Sequence, residues 1–216
     1  MALFWEVTLS LLKGFGTTCS IFGLTLVLAL PLGLLISFGT MSKFRPIKAV
    51  FKTFVWIIRG VPLMLQLFVV FYVPGFVFGT PISSRFVATI IAFVINYACY
   101  FSEIYRAGIE AIPVGQIEAG QVLGMTRFQI FTKVIFMQVV KRIIPPMGNE
   151  IITLVKDTAL ASVVVHVDLF TIAKQIVNKE VILWPLFYAG VFYLLFNGLL
   201  TILLGKLEKK LDYFKV

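Results

Sequence analysis

The chain contains three long stretches without a single charged side chain, at residues 15–39, 60–84 and 181–205. A helix of about 20 residues, rising about 1.5 Å per residue, crosses the hydrocarbon core of a bilayer. Each stretch is therefore long enough to span a membrane. With 60% hydrophobic and only 13% charged residues, the chain also lacks the polar surface that a soluble domain of this size needs.

Two further stretches are predicted to span the membrane. Residues 86–102 are uncharged, and their helix is expected to continue to residue 110, ahead of Pro113. The second stretch, at about residues 146–167, is apolar except for four ionisable side chains, Glu150, Lys156, Asp157 and His166. We therefore predict an all-α integral membrane protein with a single domain over residues 1–216 and five transmembrane helices, at about 15–39, 60–84, 86–110, 146–167 and 181–205.

Basic residues are concentrated in alternate connecting segments. Residues 40–59, residues 103–146 and the tail after residue 205 carry five, five and four Lys or Arg, respectively. The opposite segments carry only Lys13, Arg85, Lys174 and Lys179. Because Lys and Arg are enriched on the cytoplasmic side, the N-terminus is predicted outside and the C-terminus in the cytoplasm, which requires an odd number of spans. This distribution explains the net charge of +9 without a nucleic-acid partner.

Other kinds of chemistry find no support in the sequence. Cys19 and Cys99 lie in apolar runs and are interpreted as small hydrophobic residues, and the single His166 has no His or Cys nearby, so no metal site is expected. A membrane-embedded hydrolase is disfavoured because neither Gly-x-Ser-x-Gly nor His-Glu-x-x-His occurs. No phosphate-binding P-loop occurs either. The chain is predicted to be neither an enzyme nor a cofactor-binding protein.

The predicted cytoplasmic loop, at about residues 111–140, should have structure of its own. Pro113 and Gly115 break the preceding helix, and a short helix is predicted over residues 116–123, ended by Gly124. Gly120 and Gly124 are one helical turn apart, so one face would lack side chains and another element could approach it closely. We therefore predict that this helix inserts into a groove of a partner protein.

The same residues resemble a known motif. Glu118, Ala119 and Gly120, followed after three residues by Gly124, are similar to the EAA loop of ABC-importer permeases, which reads Glu-Ala-Ala, three residues, Gly, nine residues and Ile-x-Leu-Pro. Here a glycine replaces the second alanine, and residues 134–137 (VIFM) lack the proline. Other segments extend the resemblance to the histidine/glutamine-type amino-acid permeases, a branch of the type I ABC importers, namely 59–63 (RGVPL), 105–109 (YRAGI), 148–150 (GNE) and 156–163 (KDTALASV).

The resemblance implies a multi-pass subunit of the bacterial inner or plasma membrane that imports a polar amino acid, such as histidine, arginine, glutamine or cystine, by alternating access. The implied partners are a second, identical or similar permease subunit, an extracytoplasmic amino-acid-binding protein, and two cytoplasmic ATPase subunits that hold ATP and Mg. A permease-like scaffold or signalling subunit without transport is the alternative. The residues expected to couple the chain to the ATPase are Gln116, Glu118, Ala119, Gly120, Leu123 and Gly124.

Ionisable groups at membrane depth need a partner or a function. Asn149, Glu150, Thr153, Lys156 and Asp157 recur at helical spacing and are predicted to form one polar stripe. Lys156 could bind the carboxylate of the substrate, while Asp157 or Glu150 could bind the ammonium group of the substrate. Alternatively, these charges could pair with each other or across a dimer seam. The predicted substrate pathway comprises Gln66, Asn96, Glu150, Thr153, Lys156, Asp157, Thr158 and Ser162.

For three polar residues a structural role is favoured over a role in transport. Gln66 and Asn96 are the amides of their spans and are expected to hydrogen-bond a neighbouring helix, with ligand contact as the alternative. Glu103 is expected to form an ion pair with Arg106 within one helix.

Overall fold

The computed structural model describes residues 2–164 and 167–211, and within these ranges the regular structure is entirely helical. The all-α prediction is thus confirmed, whereas the prediction for His166 falls outside the described residues. The elements in chain order are α1 (Ala2–Thr40), α2 (Arg45–Gly60), α3 (Leu63–Phe78), α4 (Arg85–Glu110), α5 (Val114–Val122), α6 (Arg127–Ile130), a π-helical turn (Phe131–Ile135), α7 (Phe136–Asp157), a 3-10 helix (Thr158–Val163), α8 (Leu169–Glu180) and α9 (Trp184–Leu211).

Three of the described helices, α1, α4 and α9, are long and apolar enough to cross a membrane. Helices α2 and α3 meet the same criterion only as a pair, which is bent by 106° at the break between them. Most of the predicted span 60–84 is α3, which begins after this break and ends at Phe78, and residues 79–84 are not helical. The break has a local cause, because a residue before proline avoids the helical region, and Val61 before Pro62 is extended (φ −105°, ψ 132°).

The helix predicted over residues 146–167 is also placed differently. Helix α7 begins earlier, at Phe136, and ends at Asp157, after which the chain tightens into the 3-10 helix. Pro145 and Pro146 lie inside α7, as membrane helices tolerate when neighbouring groups satisfy the freed backbone. Because of its charged residues, α7 is not among the helices apolar enough to be a candidate span.

Helix α4 is the centre of the packing, with α1 along one side and α3 and α7 against it. Gly33 of α1 lies so close to α4 that an added Cβ would be 2.9 Å from both the Ala98 carbonyl oxygen and the Phe101 Cβ. Small residues allow such close approach between membrane helices. Phe93, Tyr97 and Phe101 of α4 are buried beside this crossing. The closely packed α1–α4 pair therefore forms the centre of the helix packing.

A second apolar cluster joins α1, α8 and α9 through Leu11, Leu169 and Ala189. Helix α8 begins with a buried cap, in which the carboxylate of Asp168 accepts hydrogen bonds from the backbone N–H of Thr171 (3.0 Å) and of Phe170 (3.3 Å). Burial raises the pKa of the Asp168 carboxyl, and the hydrogen bonds from Thr171 and Phe170 only partly offset this. The backbone N–H of Leu169 donates to Oγ1 of Thr18 at 3.3 Å, which joins the start of α8 to α1.

Candidate functional site

The break between α2 and α3 opens onto a cavity of about 440 Å³, which we call the central cavity. The break, α4, α7 and the 3-10 helix form its walls. Two carboxylates and one guanidinium line the cavity, so its lining is net negative when all three are ionised. Such a lining suits a polar ligand that carries positive charge. The lining residues are Arg59, Gly60, Val61, Pro62, Leu63, Asn96, Tyr97, Tyr100, Glu150, Thr153, Asp157 and Leu160.

Half of the predicted substrate-pathway residues line this cavity. They are Asn96, Glu150, Thr153 and Asp157. The last three share one face of α7 because they are separated by three and four residues. The helical spacing predicted that these three residues share one face of a helix, and that face lines the cavity.

The remaining predicted residues lie elsewhere. Lys156 is exposed and does not line the central cavity, because it sits about 100° around the helix from Asp157. Thr158 is fully buried, and its hydroxyl donates to the Val155 carbonyl oxygen (2.6 Å). Ser162 lies on the 3-10 helix outside the cavity lining. The structure thus does not support a substrate carboxylate bound by Lys156.

The side chain of Gln66 hydrogen-bonds the backbone at the break between α2 and α3. Its side-chain Nε2 donates to the carbonyl oxygens of Ile58 (2.7 Å) and Val61 (2.8 Å), and its Oε1 accepts from Nδ2 of Asn96 (3.2 Å). The carbonyls at the end of a helix lack partners within it, and this amide supplies one. The hydrogen bond between Gln66 and Asn96 joins α3 to α4, as the favoured structural role expects, and Asn96 also faces the cavity.

Three side chains with polar groups that line the cavity, those of Arg59, Tyr97 and Tyr100, were not predicted from the sequence. The hydroxyl of Tyr97 donates to Oδ2 of Asp157 at 2.7 Å, which fixes that carboxylate in the wall. Arg59 at the end of α2 is the one cation among the described residues that line the central cavity. Its guanidinium lies 4.9 Å from the centroid of the Tyr100 ring. An arginine directly before the Gly–x–Pro break was the available signal for it.

A second cavity of about 410 Å³ adjoins the first on the side of α5, and Arg59, Tyr100 and Glu150 line both. Here Arg106 binds Glu103 through two hydrogen bonds, from Nη2 (2.6 Å) and Nε (3.1 Å). Its Nη1 donates to Glu110 at 2.6 Å. The predicted ion pair within α4 is thus confirmed. Glu103 is shared with Arg59, whose Nη1 lies 3.7 Å from Oε2.

The predicted cytoplasmic loop contains α5 and α6, packed against each other. Gly120 is buried, and an added Cβ would lie 2.7 Å from Cγ1 of Ile130 in α6. Gly124 follows the helix with a positive φ of 72°, which favours glycine. The close approach predicted at Gly120 is thus made by α6 of the same chain, whereas nothing lies within 4 Å of an added Cβ at Gly124.

A different face of the loop is exposed. Glu118 and Ala119 are exposed, and Val122, Leu123 and Phe128 are 88%, 77% and 75% exposed. Large apolar side chains at such exposure are typical of a surface that meets a partner. Gln116 is instead directed inward, where its amide exchanges hydrogen bonds with Gln138 of α7 (2.7 and 3.2 Å). The loop is thereby joined to the helix that carries Glu150 and Asp157.

The described part of the chain contains no group of three or more His, Cys, Asp or Glu side chains that could hold a metal ion.

Comparison with known proteins identifies the chain. The family described as binding-protein-dependent transport system inner membrane component matches residues 29–213. The chain belongs to this family. It is an integral membrane permease component of the kind found in bacterial amino-acid ABC importers.

Individual relatives of the permease agree along nearly its whole length. It is 36% identical to the L-cystine transport system permease protein TcyB of Bacillus subtilis, covering 98% of this chain and 89% of that one. It is 30% identical to the arginine ABC transporter permease protein ArtM of Haemophilus influenzae, covering 99% and 97%. It also matches the crystal structure of an amino acid ABC transporter with histidines at a TM-score of 0.88 and 32% identity, covering 97% of each chain.

Proposed function

We propose that this permease carries a polar amino acid inward through the central cavity by alternating access, driven by ATP hydrolysis on two separate cytoplasmic subunits. The observation that carries the proposal is the position of Glu150 and Asp157, two carboxylates that line a cavity between helices of a membrane protein. Ionisable groups at that depth are costly and mark ligand pathways. A discontinuous helix beside them, as at the α2–α3 break, is typical of transporter binding sites.

The lining indicates how an amino acid would be held. Its ammonium group, or a cationic side chain, would meet Asp157 and Glu150, since both carboxylates lie on the same face of α7. Tyr97 keeps the Asp157 carboxylate in place by donating a hydrogen bond to it. Asn96 is held by Gln66 and adds a polar side chain to the same wall. The cavity would thus bind the ammonium end in a fixed geometry.

We further propose five spans with the N-terminus outside and the loop with α5 and α6 in the cytoplasm. The fourth span in chain order would be α7, whose charged face lines the cavity instead of meeting lipid. The exposed loop surface around Glu118, Leu123 and Phe128 would dock on the ATPase, which holds ATP and Mg. A second permease subunit and an extracytoplasmic amino-acid-binding protein would complete the importer in the plasma membrane.

The test is uptake by the assembled transporter in proteoliposomes containing its ATPase and binding protein. Radiolabelled L-cystine, L-arginine, L-glutamine and L-histidine serve as probes. In the variant Asp157→Asn we expect uptake efficiency to fall roughly 10- to 100-fold, the equivalent of a lost charged hydrogen bond of about 1.5–3 kcal/mol. The matched control is Lys156→Gln, one residue away but outside the cavity lining, and it should retain uptake.

Two results would count against the proposal. Normal uptake by Asp157→Asn together with Glu150→Gln would show that the cavity carboxylates do not contact the amino acid. A complex that assembles and hydrolyses ATP but takes up none of the four amino acids would instead support the scaffold alternative.

A further inference from the structure

The boundary between the two cavities consists of three side chains. Arg59, Tyr100 and Glu150 are the residues that line both the central cavity and the second cavity. The second cavity lies toward the loop, because Ala111 and Arg142 also line it and the Arg142 guanidinium donates to the Ala111 carbonyl oxygen at 2.7 Å. A solute that leaves the central cavity toward the loop therefore passes this boundary.

Arg59 is held at the boundary by two weak contacts. Its guanidinium lies over the Tyr100 ring, 4.9 Å from the centroid, and its Nη1 is 3.7 Å from Oε2 of Glu103. The side chain is 42% exposed. An exposed ion pair and a cation–π contact each contribute little to stability. A modest change in the surroundings can therefore release this guanidinium.

The neighbouring Arg106 shows the contrast. Its guanidinium is fixed by three hydrogen bonds to two carboxylates, those of Glu103 and Glu110. Glu103 thus already has a close partner, and Arg59 is its second and more distant one. When Arg59 leaves, Glu103 keeps its hydrogen bonds to Arg106, and Glu150 offers another carboxylate in the same boundary. Movement of Arg59 consequently leaves Glu103 and Glu110 each in contact with Arg106.

We propose that Arg59 is a gate residue, which closes the central cavity toward the loop while it rests on Tyr100 and Glu103 and opens it when it swings away. The inference rests on the proposed function in one respect, that the amino acid passes through the central cavity. The gate would make release a separate step from binding at Asp157. Its position at the end of α2, next to the α2–α3 break, ties it to the segment that a rearrangement of that break would displace.

Accessibility of the central cavity from the loop side tests the gate. In a background with Cys19 and Cys99 replaced by Ala, Thr153→Cys places a reporter thiol in the cavity lining. The assembled transporter in inside-out vesicles without ATP is treated with a membrane-impermeant maleimide. Arg59→Ala should raise the labelling rate about tenfold, equivalent to about 1.4 kcal/mol, whereas Arg59→Lys should raise it less.

The matched control is Arg45→Ala, an exposed arginine at the other end of α2, which should leave labelling unchanged. Tyr100→Leu removes the ring beneath the guanidinium and should also accelerate labelling, so the test stands even when Arg59→Ala fails to assemble. Unchanged labelling in both gate variants, or equal acceleration by Arg45→Ala, would overturn the gate. Unchanged labelling with normal wild-type uptake refutes the gate alone, whereas absent wild-type uptake refutes the proposed function.

Discussion

Replacing Gln66 by Leu should cost the permease about 2–3 kcal/mol of stability. The substitution removes three hydrogen bonds, two donated to the carbonyls of Ile58 and Val61 and one accepted from Asn96. Side-chain hydrogen bonds in membrane proteins average about 0.6 kcal/mol each, so three amount to about 2 kcal/mol. The buried Asn96 amide loses its partner as well, which adds about 1 kcal/mol.

The measurement is equilibrium unfolding in mixed micelles, with the free energy compared between wild type and variant. Gln175→Leu, on the exposed side of α8, makes the same chemical change without these hydrogen bonds and is the control. Combining Gln66→Leu with Asn96→Ala should cost less than the sum of the single changes, because the two amides share a hydrogen bond. A loss below about 0.5 kcal/mol, as for an ordinary surface position, would refute the role assigned to Gln66.

Three other predictions concern packing, coupling and topology. Gly33→Leu should destabilise the α1–α4 crossing by about 3 kcal/mol, whereas Gly23→Leu on the same helix, with nothing within 4 Å of an added Cβ, should be tolerated in an unfolding measurement. Glu118→Lys should abolish the stimulation of ATP hydrolysis by the permease, while membrane insertion is retained. The control Gln121→Lys, on the same exposed helix, should keep this stimulation. Equal ATPase activity in the two variants would show that Glu118 is not part of the docking surface. A thiol at Gln121→Cys should react with an impermeant reagent only from the cytoplasmic side, and reaction from outside would invert the proposed orientation.

The polar wall of the central cavity was predictable because it depends on one helix. The spacing of Glu150, Thr153 and Asp157 fixes them on one face wherever α7 lies. Lys156 was included because it also fits a helical interval to Asn149, and only the direction of the cavity excludes it. Periodicity therefore identifies a face of a helix but not which edge of that face meets the cavity.

The periodicity of one helix cannot predict which residues of other helices line the same cavity. Arg59 and Tyr97 reach the cavity because α2 breaks at Pro62 and α4 packs against α7. Hydropathy gives the uncharged run over residues 60–84 but not the ends of the helix within it, which begins at Leu63, after the break at Pro62, and ends at Phe78. In the loop, Gly120 was correctly seen as a site of close approach, and only the identity of the approaching element, α6 of the same chain, required tertiary structure.

The acids of α4 and those of α7 differ in whether they have an ion-pair partner. Glu103 and Glu110 are both paired with Arg106, whereas neither Glu150 nor Asp157 has an ion-pair partner within 4.0 Å among the described residues. Unpaired ionised groups at membrane depth lower stability, and sites kept for function commonly carry such a cost.

Asp157→Asn, which can still accept the Tyr97 hydrogen bond, should therefore raise the free energy of unfolding by up to about 1 kcal/mol while it lowers uptake. Arg106→Gln should do the opposite to stability, because Glu110 loses its ion-pair partner and Glu103 keeps only the more distant Arg59. A loss of stability in Asp157→Asn as large as in Arg106→Gln would mean that Asp157 holds the helices together, and its place in a substrate site would then have no physical basis.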